Sequence, residues 1–479
     1  MKYPVFDTRY ALRQIGEDLY YLMDPVTGDY YELSREQLLT FYLSTGENSL
    51  TDIQNVVKVP LKDIEEFVDE QAADGFLKIS DSKTEKADIH YRKSSAPHFS
   101  DVLVEITGKC NLYCKHCFNS EFNSEECQDK TMTKAELLNL IEELDRLNVR
   151  RIQLSGGEPL MREDIWDIID AIDEHKIFLD VISTNATLIT PESAEKFGER
   201  FGENGALYIS LDGISAETYE GLRGEGTFPL VMNALDLLEK TGCRVFINTM
   251  AYKGNLHEIE KMYDWIISCK NIVGWRIGLP KVLGRYEENH EHLEVGFDEV
   301  ISVFKKLIIR WLNERPELRL ELSDFFRTDS FETGFEDHQP DDSPCKYAMT
   351  NASIKPDGKV VFCASMEIFE PANLGFALQE GLENVWYGER HMNYRKLKIR
   401  DLEKCAGCRY VRVCGGGCRS NALLSFGSLY AEDPRACTAM KMLEEEIMPM
   451  LPEDVKIQIE NLIDKDKSFS LPTGYVKYI

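Results

Sequence analysis

"VLVEITGKCNLYCKHC", residues 102–117, runs an apolar stretch straight into three closely spaced cysteines, Cys110, Cys114 and Cys117. The apolar half, VLVEIT, reads as a buried strand, because short runs of aliphatic and β-branched residues fit a sheet covered on both faces. Further along the chain RIQLSGG, FLDVIST, ALYISLDG, RVFINTM and WRIGL repeat that pattern, with helical segments such as KAELLNLIEELDRL and LHEIEKMYDWIISC between them. Alternating strand and helix predicts parallel strands. Six such units over residues 101–314 predict an α/β fold built on a partial (β/α)6 TIM-like barrel, short of the eight units of a closed one. Catalytic groups of such barrels lie at the C-terminal ends of the strands. The three cysteines fall at one of those ends.

The flanks read differently. Residues 1–82 open with three short strands, YALRQIG, DLYYLMD and GDYYEL, and continue with three helical stretches, SREQLLTFYLS, SLTDIQNVV and LKDIEEFVDEQAADG, before a strand FLKIS. Strands plus a helix trio of this size resemble a winged helix. Residues 83–100 are polar and read as a linker, and 315–344 as a bridging region. A cysteine-rich segment fills 345–440, and 441–479 holds the end of a helix (AMKMLEEEIMPML) and a tail.

Acidic residues number 83 against 55 basic, a net charge of −28, which argues against a nucleic-acid partner. No apolar run reaches the roughly 18 residues that span a bilayer, and the opening MKYPVFDTRY lacks the apolar core of a secretory signal. A cytoplasmic location without membrane attachment is therefore expected. Thirteen cysteines in such a chain point away from a disulfide framework. Cys127, Cys243 and Cys269 sit in no ligand pattern and read as buried or neutral thiols.

Three thiolates on one short loop can hold three irons of a cubic iron–sulfur cluster and leave the fourth iron open. An open coordination position marks a catalytic metal site. At the end of the second strand, GGEP (156–159) supplies glycines that let a ligand approach the backbone closely. The CxxxCxxC loop followed by GGEP resembles the radical S-adenosylmethionine (radical SAM) superfamily. That resemblance implies a [4Fe–4S] cluster on Cys110, Cys114 and Cys117, with the SAM methionine moiety on its open iron. It also implies that the backbone around Gly156, Gly157 and Glu158 receives the SAM amine. STN (Ser183 to Asn185), SLDG (Ser210 to Gly213, with Asp212) and Arg223 extend the match, Ser210 and Arg223 at places that contact the SAM carboxylate. For Asn185 a turn-capping role is the alternative.

A second array follows. CKYAMTNASIKPDGKVVFC carries Cys345 and Cys363, CAGCRYVRVCGGGC carries Cys405, Cys408, Cys414 and Cys418, and Cys437 closes the set. Spacing alone also suits a zinc ribbon. The full order resembles the SPASM extension of radical SAM peptide maturases, which implies two auxiliary [4Fe–4S] clusters and so three in all. By that family's interleaving, Cys405, Cys408, Cys414 and Cys437 hold the second auxiliary cluster, and Cys345, Cys363 and Cys418 the first. Some relatives place another cysteine soon after the first; Asn351 stands near that place here. The first auxiliary cluster would then have an iron free for a substrate cysteine thiolate, unless a residue such as Cys127 supplies the fourth ligand.

Residues 1–82 resemble the recognition element that binds leaders of ribosomally made, later modified peptides (RiPPs), which adds the leader as a strand to a sheet edge, here GDYYEL. A structural cap is the alternative. Together these resemblances imply a thioether-forming maturase of sactipeptide or ranthipeptide type, with a freyrasin-type enzyme as the specific expectation. The 5′-deoxyadenosyl radical would act on a precursor peptide, with an electron donor such as flavodoxin or ferredoxin. The rivals are carbon–carbon crosslinking or residue oxidation, and a non-catalytic zinc-ribbon peptide-binding scaffold.

Overall fold

The computed structural model describes residues 2–472, apart from 120–121, 125–126, 128–129, 324, 368 and 370–371. Residues 473–479, the end of the tail, lie outside the described residues.

The chain begins with β1 (Tyr3–Phe6), β2 (Ala11–Ile15), β3 (Leu19–Met23) and β4 (Tyr30–Leu33), followed by α1 (Arg35–Leu43), α2 (Leu50–Val57), α3 (Leu61–Ala73) and β5 (Leu77–Ser80). Ser34 and Ser49 start the first two helices through capping boxes with Gln37 and Asp52. β1 pairs with β5, while β2, β3 and β4 form an antiparallel meander with β4 at its edge. The stretch read as a linker adds a strand of its own, β6 (Tyr91–Ser94), parallel to β2. A polar four-residue strand whose partner lies in the first 15 residues leaves no periodic trace in sequence.

The barrel strands are β7 (Asp101–Glu105), β8 (Arg151–Ser155), β9 (Phe178–Thr184), β10 (Ala206–Ser210), β11 (Val245–Met250) and β12 (Ile272–Gly278). They lie side by side in chain order and all parallel, as the alternation predicts. The connecting helices are α4 (Lys134–Arg146), α5 (Ile165–Glu174), α6 (Pro191–Phe201), α7 (Ala216–Arg223), α8 (Phe228–Lys240) and α9 (Ile259–Ser268), with α10 (Arg285–Leu293) and α11 (Phe297–Glu314) beyond β12. α4 shows how each is held: Thr133 and Glu136 form its capping box, and Leu137, Leu140, Ile141 and Leu144 face the sheet. Burying aliphatic side chains of this size stabilises by about 1.5–3 kcal/mol each.

Two strands outside the predicted barrel extend it in parallel. β13 (Arg319–Leu322), from the bridging region, joins β12. On the far side β15 (Asn351–Ile354), from the cysteine-rich segment, joins β7 in the register Ile354–Val104. With β14 (Phe326–Arg327), β16 (Lys359–Val361) and β17 (Asn373–Phe376) the sheet has eleven strands. The cysteine-rich segment is thus seamed into the barrel edge, and its later part includes α12 (Arg419–Phe426) and α13 (Pro434–Met442).

Candidate active site at the mouth of the barrel

A cavity of about 370 Å³ opens at the C-terminal ends of the parallel strands. Ser155 of β8, Ser183 and Thr184 of β9, Ser210 of β10, Asn248 and Met250 of β11, and Leu279 just past β12 all line it. So do Cys110, Cys114, Cys117, Gly156, Gly157, Asn185 and Arg223. Nine of the residues singled out in this region of the sequence therefore share one wall.

Local backbone chemistry brings the thiol loop against GGEP. Gly157 N donates to Thr107 O at 2.7 Å and Glu158 N to Lys109 O at 2.7 Å. A Cβ on Gly157 would stand 2.2 Å from Lys109 O, and one on Gly156, at φ +142°, would stand 2.4 Å from Thr107 O. Only glycine permits that approach. The Cys110 amide donates to Asn123 Oδ1 at 2.7 Å.

The carboxylates of Glu158 and Asp212 are both buried in the wall of the cavity. The Glu158 carboxylate is 1% exposed and accepts from Thr184 Oγ1, Asn185 N and Leu160 N. Asp212, fully buried, accepts from Arg223 Nε at 2.5 Å and Met250 N at 2.6 Å. These bonds from inside the fold fix the two carboxylates, and through them the wall, in place. At Asn185, Oδ1 accepts from the amide and hydroxyl of Thr187, while Nδ2 donates to Asn111 Oδ1.

Arg223 is the charged centre of the site. Burial works against its charge, but the Asp212 carboxylate more than offsets that and holds it firmly protonated. Its Nη1 lies 3.9 Å from Cys114 Sγ and its Nη2 3.4 Å from His116 Nε2. Burial, and then the Arg223 charge, push His116 down to about 4, so it is a neutral acceptor toward Arg223. His116, Lys281, Arg285, Phe118, Phe122 and Ser365 line the cavity and were not singled out from sequence. His116 lies inside the CxxxCxxC loop and could have been found there. Lys281 sits on an irregular stretch and Arg285 at the start of α10, with no motif to flag either.

The second array is divided among three places. Cys405, Cys408, Cys414 and Cys437 line one small cavity. Gly415, Gly416 and Gly417 all have positive φ, which turns the chain between Cys414 and Cys418. Asp433 then ties Cys418 to α13, accepting from the Cys418 amide at 2.8 Å and from Arg435 N at 2.9 Å. Cys345 and Cys363 share an apolar cluster with Phe362 and Met366. Cys418 lies on the wall of a neighbouring cavity of about 600 Å³ together with Lys346 and Arg276. Cys127 packs its sulfur beside Gly108, at the base of the Cys110 loop.

The donor chemistry suits iron–sulfur groups. Burial pushes Cys110 and Cys405 up to about 11 and Cys414 up to about 12, and raises Cys437 further. Unligated, these thiols stay protonated; a bound metal takes them as thiolates. Among the described residues no three thiol, imidazole or carboxylate side chains are gathered as chelators of a single ion, and no helix is long and apolar enough to cross a membrane.

Comparison with known proteins follows the same division. Residues 104–266 match the family model of the radical SAM superfamily, and residues 345–409 that of SPASM, an iron–sulfur cluster-binding domain. The chain is 29% identical over 353 residues to an AdoMet-dependent heme synthase of Methanosarcina barkeri, covering 70% of this chain and 95% of that protein. It is 26% identical over 340 residues to the mycofactocin maturase MftC of Mycolicibacterium smegmatis, covering 69% and 80%. Its fold is similar to that of Streptococcus suis SuiB bound to the precursor peptide SuiA, with a TM-score of 0.66 at 16% identity over 90% of this chain and 98% of that one. The enzyme anSMEcpe with bound AdoMet is similar over 76% of this chain and 98% of that one, with a TM-score of 0.58 at 19% identity.

Proposed function

This chain belongs to the radical SAM superfamily and carries a SPASM extension, and from that premise we propose that it forms thioether crosslinks in a ribosomally made precursor peptide. It is a radical SAM/SPASM peptide-modifying enzyme that uses iron–sulfur clusters and SAM. The observation that carries the reading is the convergence of the Cys110–Cys114–Cys117 loop, GGEP and Arg223 on one cavity at the strand ends.

Cys110, Cys114 and Cys117 would hold the SAM cluster. Arg223, kept charged by Asp212, and Ser210 would meet the SAM carboxylate. Cys405, Cys408, Cys414 and Cys437 would hold one auxiliary cluster, and Cys345, Cys363 and Cys418 another with room for a sulfur from the peptide. When bound and reduced by one electron, the cluster and SAM supply methionine and a 5′-deoxyadenosyl radical that removes a substrate hydrogen atom. The chain's own residues hold the cofactor, shield the mouth from water with Phe118, Phe122, Leu279 and Leu283, and keep their thiols and Arg223 in fixed places.

The N-terminal sheet would receive the leader on β4. Tyr30 and Tyr31 on that edge strand are 53% and 48% exposed, and Leu19 on the neighbouring β3 adds apolar surface. A peptide partner accords with the similarity to MftC and to SuiB, each named for a peptide or its maturation. A small reduced protein of flavodoxin or ferredoxin type would deliver electrons.

The test is incubation of anaerobically reconstituted enzyme with SAM, reductant and the peptide encoded beside it. A loss of two hydrogens per crosslink, with cysteines that no longer alkylate, is the expected signature. Alkylatable cysteines in a modified product would move the assignment to carbon–carbon crosslinking or residue oxidation. Cys110→Ala is expected to abolish 5′-deoxyadenosine formation.

A further inference from the structure

Behind the cavity wall that faces the SPASM segment lies a cluster of charges that the chemistry above does not use. Lys355 leaves the end of β15 and Glu105 the end of β7, strands paired in register. Lys355 Nζ stands 2.6 Å from Glu105 Oε2 and 2.7 Å from Glu367 Oε2. The Lys355 and Glu105 side chains are 2% and 3% exposed, that of Glu367 21%. Lys355 Nζ also lies 6.0 and 5.6 Å from the ring centroids of Phe118 and Phe122, both on the cavity wall.

Burying three charges costs desolvation that their mutual attraction seldom exceeds, so such a network gains little stability over apolar side chains of equal volume. What it does supply is one arrangement in preference to others. Here the arrangement joins three pieces of chain. Glu105 lies on the run into Cys110, and Phe118 directly follows Cys117. Glu367 follows Cys363 on the same turn as Ser365, which lines the mouth. Lys355 lies between them.

We infer that Lys355 is a positioning residue whose contacts with Glu105 and Glu367 set the separation between the Cys110–Cys117 loop and the Cys363 loop. This rests on the reading that the two loops hold separate iron–sulfur groups. Through that separation Lys355 aligns the substrate carbon with the atom that takes its hydrogen and with the group that completes the product. It touches no reacting atom itself.

The test uses the full-length, anaerobically reconstituted enzyme with iron content checked in every preparation. Lys355→Met removes the link, and Glu367→Gln weakens it from the exposed side. The double variant Glu105→Gln/Lys355→Met removes it without leaving two buried carboxylates face to face, should the single variant fail to fold. In each, 5′-deoxyadenosine forms at the unaltered rate, while product per 5′-deoxyadenosine falls by as much as about 100-fold, the cost of a misplacement near 1 Å. Spin–lattice relaxation of the reduced SAM-cluster signal, hastened by the neighbouring auxiliary cluster, is expected to change in the same variants and needs no peptide. Product and 5′-deoxyadenosine falling together, or relaxation and product ratio both unchanged at full iron content, would overturn the inference. If the unaltered enzyme makes something other than a thioether, the proposed reaction fails, and the ratio is read against that product instead.

Discussion

Arg223 shows how one side chain carries several duties at the mouth of the barrel. Asp212 receives its Nε, Cys114 and His116 face its two terminal nitrogens, and the Tyr219 ring lies 5.8 Å away. Lysine keeps the charge but offers no planar fork for this set of partners. Arg223→Lys is therefore expected to weaken SAM binding by roughly 10- to 100-fold, the range for losing hydrogen bonds to a charged group at about 1.5–3 kcal/mol. Equilibrium binding of SAM to reconstituted enzyme measures it, with iron content unchanged. Asp212→Asn is expected to act in the same direction through Arg223, whose Nε Asp212 receives.

At the scale of elements, a single carboxylate joins the N-terminal sheet to the barrel. Asp145 on α4 is fully buried and receives Arg13 of β2 at 2.8 Å, His90 at 2.9 Å, Arg92 of β6 at 2.7 Å and His175 beyond α5 at 3.2 Å. Arg13 Nη2 also donates to Lys176 O, and Asn148 Nδ2 to Gln14 O. Burial alone would raise the Asp145 pKa, but the hydrogen bond from His90 and the Arg13 charge hold it well below the ordinary carboxylate range. Its contribution to stability is thus fully present at neutral pH and is lost as pH falls below about 4, the unfolded value, toward the depressed folded one. Asp145→Asn is expected to cost about 3–5 kcal/mol at pH 7, because it leaves buried cations unpaired, and to flatten the acid limb. Thermal unfolding across pH checks both. At the β4 edge of the same sheet, Tyr30→Ala and Tyr31→Ala are expected to weaken leader binding by about 10-fold each, as exposed aromatics do at peptide interfaces. Uncoupled SAM cleavage without peptide should be unaffected.

For the molecule as a whole, ten cysteines on two arrays predict about 12 irons per chain, four for each cubic cluster. Iron and sulfide analysis of anaerobic protein checks this. Cys414→Ala should remove about four irons, while stoichiometric zinc with no sulfide would favour the scaffold reading. Much of this plan was legible along the chain. Six aliphatic strands with helices between them dictate a parallel sheet because each strand is buried on both faces and carries its own apolar run. The cysteine spacings and GGEP sit on short local loops, where neighbours in sequence are neighbours in space. What sequence could not supply depends on contacts between distant parts. β6 and β15 are four-residue strands whose partners β2 and β7 lie far away along the chain. The burial of Asp212 and Glu158 was likewise out of reach, because burial and hydrogen-bond partners are properties of packing and not of motif. The same holds for Asp145 and Lys355, ordinary charges in sequence that become joints only where tertiary structure removes the water around them. Residue order alone determined the barrel strands and the thiol arrays; folding decided which charges the interior would hold, since desolvation acts on a side chain only once its surroundings are assembled.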